Sequence, residues 1–180
     1  MADFTVEMGT PILWGSSSYS STLSGITLTN DITLKGIASA AARQGERVDL
    51  GANRAGGYSV QVCIEMDADP VAGAPISVYW SSSYSGTAAT GNDGGAAITG
   101  LDAAWAPTTI DEWKQQLTLI GILPLTSDNK TPNVKTINGY FSPPTRYGQI
   151  VIVNGGGQKL NDTDDIEMYV AMIPITDDAA

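Results

Sequence analysis

Apolar and polar residues alternate with a period of two along much of this chain. In Tyr58-Ser-Val-Gln-Val-Cys-Ile-Glu-Met66, the residues Tyr58, Val60, Val62, Ile64 and Met66 fall on one face of an extended strand, and Ser59, Gln61, Cys63 and Glu65 on the other. The same pattern predicts strands over 25–29, 31–35, 76–80, 117–125, 137–141, 149–153 and 166–173, each bounded by Gly, Pro, Asn or Asp. Residues 147–153 are nearly continuously apolar, which predicts a strand in a sheet interior with both faces covered.

Helical spacing is confined to two short places. Thr109 and Glu112 stand at capping-box spacing ahead of Trp113, which predicts one helical turn. Residues 37–43 are helix-prone in composition and end at Gly45. The expected fold is therefore all-β, an antiparallel double-sheet sandwich of the jelly-roll kind with one or two short helical turns. Strands occur at similar density on both sides of the Gly-rich segment 86–100, so one domain is expected over 1–180, with 1–24 read as an extended N-terminal arm. The motif Ser-Ser-Ser-Tyr-Ser occurs at 16–20 after Trp14 and again at 81–85 after Trp80. The flanking residues do not align over a supersecondary unit, so these are two similarly composed loops and not a repeat.

Composition narrows the function. The chain is 42% hydrophobic but only 16% charged, against about 25% charged in ordinary soluble proteins. Much of the surface is therefore Ser, Thr, Asn, Gln, Gly or apolar, which suits packing against neighbours. Net charge is −10, and the nine Lys and Arg form no run. Counterion release from a phosphate backbone needs clustered cations, so neither nucleic acid nor an anionic membrane surface is an expected partner. The N-terminus has no basic, long apolar leader, no segment approaches the ~20 apolar residues of a membrane span, and synthesis in a cytoplasm is expected. The single Cys63 lies in an apolar alternation and reads as a small buried hydrophobe.

Catalytic and metal chemistry find little support. Histidine is absent, which removes the commonest general base and metal ligand together. Gly91–Gly95 and Asn154–Gly157 lack the residues of a phosphate-binding loop, and Asn154-Gly155 after a strand reads as a hairpin turn. Asn161-Asp-Thr-Asp-Asp165 is rich in oxygen ligands but lacks the central Gly and closing Glu of a calcium loop. No catalytic residue, cofactor or metal is expected. The aromatic residues near loops, Trp14, Tyr19, Trp80, Tyr84 and Trp105, are the candidate interface anchors. For each tryptophan the competing reading is a plug at the end of the sandwich.

One set of segments carries a resemblance. It comprises Arg43-Gln-Gly-Glu-Arg-Val-Asp-Leu-Gly-Ala-Asn-Arg-Ala-Gly-Gly-Tyr58, the strand ending at Trp80, the Gly91–Gly95 loop and residues 100–104. It is completed by Phe141-Ser-Pro-Pro-Thr-Arg-Tyr-Gly-Gln-Ile-Val-Ile-Val-Asn154 and the last strand ending in Pro174-Ile175. Together these resemble small virion accessory proteins of tailed bacteriophages. The resemblance implies a capsid cement or decoration protein, a homo-oligomer (trimer or dimer) bound to the major capsid protein on the capsid surface. It transfers no functional residues, because such proteins act through interfaces. The 80–95 connection would then project and order against a neighbouring subunit, with Trp80 or Tyr84 as its anchor. A carbohydrate-binding sandwich for host adhesion is the alternative, with Trp14, Trp80, Trp105 and Trp113 at or near loops and Tyr19, Tyr84, Tyr140 and Tyr147 nearby as its stacking aromatics.

Overall fold

Alternating strands become stable only where one face finds a partner, and here two sheets supply that face to each other. A computed structural model describes residues 4–16, 28–163 and 167–179 of the chain. Its strands are β1 (Phe4–Met8), β2 (Ile12–Gly15), β3 (Asn30–Asp31), β4 (Ala42–Gln44), β5 (Val48–Asp49) and β6 (Gly57–Ile64). They continue with β7 (Pro75–Ser83), β8 (Ala103–Trp105), β9 (Thr118–Pro124), β10 (Asn133–Phe141), β11 (Tyr147–Asn154) and β12 (Tyr169–Ala179). The first sheet has the order β10-β6-β12-β2-β3, with β1 pairing onto the far half of β12. The second has the order β8-β4-β11-β7-β9, with β5 pairing onto β11. The pairings are antiparallel except β2 with β3.

The core fills the space between the sheets. Tyr58, Val60, Val62 and Ile64 of β6, with Met66 just beyond it, meet Ile76, Val78 and Trp80 of β7 and Ile150 and Ile152 of β11. This is the face that the alternation predicts. Burying each aliphatic side chain contributes about 1.5–3 kcal/mol. At one end of the core Trp14 and Trp80 meet edge to face, with centroids 6.4 Å apart and planes at 83°. Phe141 packs on Trp80 at 6.0 Å. Rings this large fit only because the backbone beside them lacks side chains. A Cβ on Gly148 would stand 2.2 Å from the Trp80 ring, and one on Gly45 would stand 2.9 Å from Trp14.

The second sheet is also covered on its outer face, by the chain between β7 and β9. Tyr79, Val151, Ala42, Trp105, Ile98 and Leu117 form a separate cluster there. This explains the continuous apolar run of β11: Ile150 and Ile152 face the main core, and Val151 and Val153 face the outer cluster. The expected projecting connection is therefore shortened: its two ends are held on the sheet, while Tyr84 and residues 86, 87 and 89–91 stay exposed. Strand β7 runs on through Ser83, and Ser81, Ser82 and Ser83 are buried. Ser81 Oγ donates to the Asp93 carbonyl (2.6 Å) and Ser83 Oγ to that of Thr90 (3.1 Å). Gln44 Nε2 donates to the Ala97 carbonyl (2.8 Å), and Gln44 Oε1 accepts from the Thr99 amide (2.7 Å) and from Gln149 Nε2 (3.0 Å). Ser81 and Ser83, which resemble a loop in sequence, join Gln44 in holding the crossing chain down.

An ion pair fastens the same layer further along. Arg43 Nε and Nη2 donate to the two carboxylate oxygens of Asp102 at 2.7 and 2.8 Å, and Thr33 donates to both oxygens from its amide and its hydroxyl. Burial alone would raise the Asp102 pKa, but the hydrogen bonds from Arg43 and Thr33 outweigh it and leave the carboxyl below its ordinary value.

The expected helical turn is present as the helix α1 (Ile110–Trp113), with Thr109 at its N-cap, although the Thr109 side chain makes no capping bond. Residues 37–43 are not helical: Ala40 adopts φ 61°, and Ala42 pairs with both Val153 and Trp105. The strand expected over 31–35 is reduced to Asn30–Asp31, and of the strand expected over 25–29 only residues 28 and 29 are described, both outside any strand. In the stretch read as an arm, β1 and β2 are sheet strands in line along β12, while residues 1–3 and 17–24 lie outside the described residues.

Two substitutions test this account. Gly148→Ala places a methyl group inside the Trp80 ring volume and is expected to cost about 1–3 kcal/mol by overpacking, read as a lower denaturation midpoint. Asp102→Asn is expected to cost about 1.5–3 kcal/mol at neutral pH, the range for hydrogen bonds to charged groups. Because the folded pKa of Asp102 is lowered, its contribution is present above the unfolded carboxylate pKa and is lost as pH falls through the folded value. The gap between wild type and Asp102→Asn should close in acid.

Candidate functional site

The candidate anchors divide sharply by exposure. Trp14 and Trp80 are fully enclosed in the main core, and Trp14 Nε1 donates to the Glu46 carbonyl at 2.7 Å. Trp105 is buried under the outer layer of the second sheet. These three are corrected as contact anchors: this chain's own packing surrounds them, so they present nothing to a neighbour. Tyr84 is 79% exposed just beyond β7. Tyr19 lies outside the described residues. The structure brings Trp14 and Trp80 together and leaves Tyr84 apart from them.

Near Tyr84, at the same end of the second sheet, the ring of Tyr147 lies under two guanidinium groups, Arg146 at 5.0 Å and Arg47 at 5.5 Å from its centroid. Both cations also serve the fold. Arg146 forms a two-pronged pair with Asp49 (2.6 and 2.7 Å), and Arg47 donates to the carbonyls of Ser85 and Gly86. The Arg146 hydrogen bond, with a second from the Gly51 amide, holds the Asp49 carboxyl down at about 2. The cluster closes the sheet end and keeps the 85–86 backbone against it.

Among the exposed apolar side chains, two surface features have a defined setting. The first is the outer face of β9, the edge strand of the second sheet. Leu119 and Ile122 are each about half exposed, and no residue of Thr118–Pro124 carries a charge. Ile120 and Leu123 both reach the core although they stand three apart, because the ladder shifts register between the Gly121–Val78 and Leu119–Tyr79 pairs. That bulge turns Leu119 outward. The free side of β9 is approached by β10, where Asn138 Nδ2 donates to the Ile120 carbonyl at 2.7 Å.

The second feature is Tyr140 on β10, 62% exposed yet held in place. Its hydroxyl donates to the Gly56 carbonyl (3.1 Å), and its amide donates to Asn138 Oδ1 (2.9 Å). A Cβ on Gly57 would lie 2.2, 2.5 and 2.7 Å from Cε2, Cζ and Cδ2 of the ring. Such near-equal distances to three adjacent atoms put the glycine under the face of the ring, so the opposite face looks outward. Beside it runs a cleft of about 280 Å³ lined by Asn53, Arg54, Gly56, Ile175 and Thr176. Arg54 is exposed and makes no ion pair among the described residues.

A larger cleft of about 430 Å³ lies between the 107–114 segment and the ends of β7 and β11. Its charged pair, Lys114 and Asp111, is joined at 2.5 Å, and its floor is Ser77 and Val153. Among the described residues no three His, Cys, Asp or Glu gather to hold a metal ion, and no helix is long and apolar enough to cross a membrane. In the acidic 161–165 segment, Asp162 is paired with Lys159, and residues 164 and 165 lie outside the described residues.

Tyr140 is among the aromatics that the sequence offers for sugar stacking but not among the candidate interface anchors, and Leu119 is singled out by neither reading. The outward direction of Tyr140 is legible too, since Phe141 faces the core and its neighbour on a strand must face away. Leu119 carries no such signal, because the bulge breaks the alternation. No family model matches the chain, and no curated protein or solved structure is significantly similar to it.

Proposed function

We propose that this chain is a structural protein of a bacteriophage particle, a decoration-type subunit that binds the outer surface of the shell in many copies and acts without catalysis. The observation that carries this reading is the uncharged edge strand β9 with Leu119 and Ile122 half exposed. Proteins that work alone usually protect a sheet edge with lysine, proline or inward charge, because an open apolar edge recruits other chains. Here the bulge, the terminal Pro124 and the approach of β10 limit backbone pairing, but the side chains of Leu119 and Ile122 stay available. Such an edge fits a specific neighbour, whether the major shell subunit or a second copy.

Charge supports the same reading. A chain of net charge −10 is repelled by packaged nucleic acid and is better suited to the outside of a shell than to its lining. Many weak contacts, repeated over a lattice of subunits, add up to a stabilisation that no single contact supplies.

The double substitution Leu119→Ser with Ile122→Ser tests the reading. Both side chains are half solvated, so the thermal midpoint should move little. Binding to particles assembled without this chain should fall by about tenfold or more, as expected when an apolar anchor pair is removed from an interface. Cosedimentation with the particles measures it. Undiminished binding by the folded double variant contradicts β9 as the contact.

A further inference from the structure

The exposed aromatic on the other sheet points to a second activity, independent of shell contact. We propose that the cleft beside Tyr140 binds a saccharide, with a pyranose ring stacked on the outward face of Tyr140 and its hydroxyl groups held by Asn53, Arg54 and Thr176.

The ring is prepared for this in three ways. Gly57 supports one face, at a separation that no residue with a Cβ permits. The phenol hydrogen bond to Gly56 and the amide bond to Asn138 fix its direction. Asn138 is itself tied to the neighbouring sheet through the Ile120 carbonyl, so the platform rests on both sheets. A flat apolar surface that needs no ordering when a ligand arrives loses little entropy on binding.

The ligand class follows from what surrounds the ring. The cleft is open and shallow, so it cannot enclose a wholly apolar molecule. Its apolar lining is the aromatic face with Ala55 and Ile175, and its rim carries amide, guanidinium and hydroxyl groups together with the Gly56 backbone. That pattern matches a molecule with one patch of C–H bonds and hydroxyl groups around its edge. A nucleobase also stacks on tyrosine, but it brings phosphate to a chain of net charge −10. Arg54 adds a preference. It makes no ion pair among the described residues, and it lines the same cleft. Glu7, the cross-strand partner of Thr176, stands near the cleft but does not line it, so Arg54 is the charge at contact distance, and acidic groups beyond the Debye length of about 8 Å at physiological salt are screened. An acidic sugar should therefore bind ahead of its neutral counterpart.

The test is an NMR titration of the full chain, amide-labelled, with methyl glucuronide, methyl glucoside and adenosine monophosphate as separate probes. Saturable shifts at the amides of Gly56, Gly57 and Thr176 are expected with the glucuronide, and weaker ones with the glucoside. Tyr140→Ala should weaken both sugars by about tenfold or more, the loss expected for one stacking contact. Tyr140→Phe should retain them. Arg54→Ala should abolish the preference for the glucuronide, which keeps the proposal testable if Tyr140→Ala fails to fold. The proposal is overturned if neither sugar shifts these amides, if Tyr140→Ala binds as wild type does, or if only the nucleotide binds. None of those results touches the reading of β9.

Discussion

The fit of two indole rings against glycine backbone is the constraint on which the rest of this structure depends. Trp14 comes from near the N-terminus and Trp80 from the middle of the chain, one in each sheet. Their edge-to-face contact brings β2 of the first sheet against β7 of the second. It also requires Gly148 on the strand beside Trp80 and Gly45 just after β4, since a methyl group at either position would enter ring volume. The aliphatic strands would form sheets without this contact. Their relative placement at that end of the sandwich would then lose its main anchor.

On the outside of the second sheet the logic is reversed, with polar groups holding an apolar layer in place. Ser81, Ser83, Gln44 and Gln149 are buried polar side chains on strands, and such groups are stable only when hydrogen bonded. Their partners are mostly backbone groups of the crossing chain, which in turn lays Ile98, Trp105 and Leu117 over Tyr79 and Val151. Of the candidate anchors, Trp105 is used up in this way and Trp14 and Trp80 in the main core, while Tyr84 stays exposed. Contact chemistry therefore moves to β9 and to Tyr140, where the chain leaves apolar surface uncovered.

How much of this was readable from sequence depends on strand length and regularity. The inward face of β6, from Tyr58 to Ile64, and the doubly covered β11 follow from periodicity alone, because both are regular and eight residues long. Strands of two or three residues, such as β3, β4, β5 and β8, are shorter than any period can reveal. Residues 37–43 are rich in alanine, yet pairing of Ala42 with Val153 and Trp105 overrides helix propensity. The run Ser81–Ser83 has the composition of a loop and the structure of a strand, since its partners Thr90 and Asp93 lie seven and twelve residues away and are invisible to a local window. The bulge that exposes Leu119 is a mismatch between two strands and has no mark on either one.

The proposed function joins the two-sheet sandwich, the exposed apolar side chains of β9 and an acidic, lightly charged surface into a protein that works by occupying a position. Its central claim is location. Immunogold electron microscopy with antibody against this chain, on bacteriophage particles purified from cells that produce it, tests that claim most directly. The account predicts regular label over the outer surface of the head. Label absent from particles, with the protein found only in the soluble lysate, would contradict it.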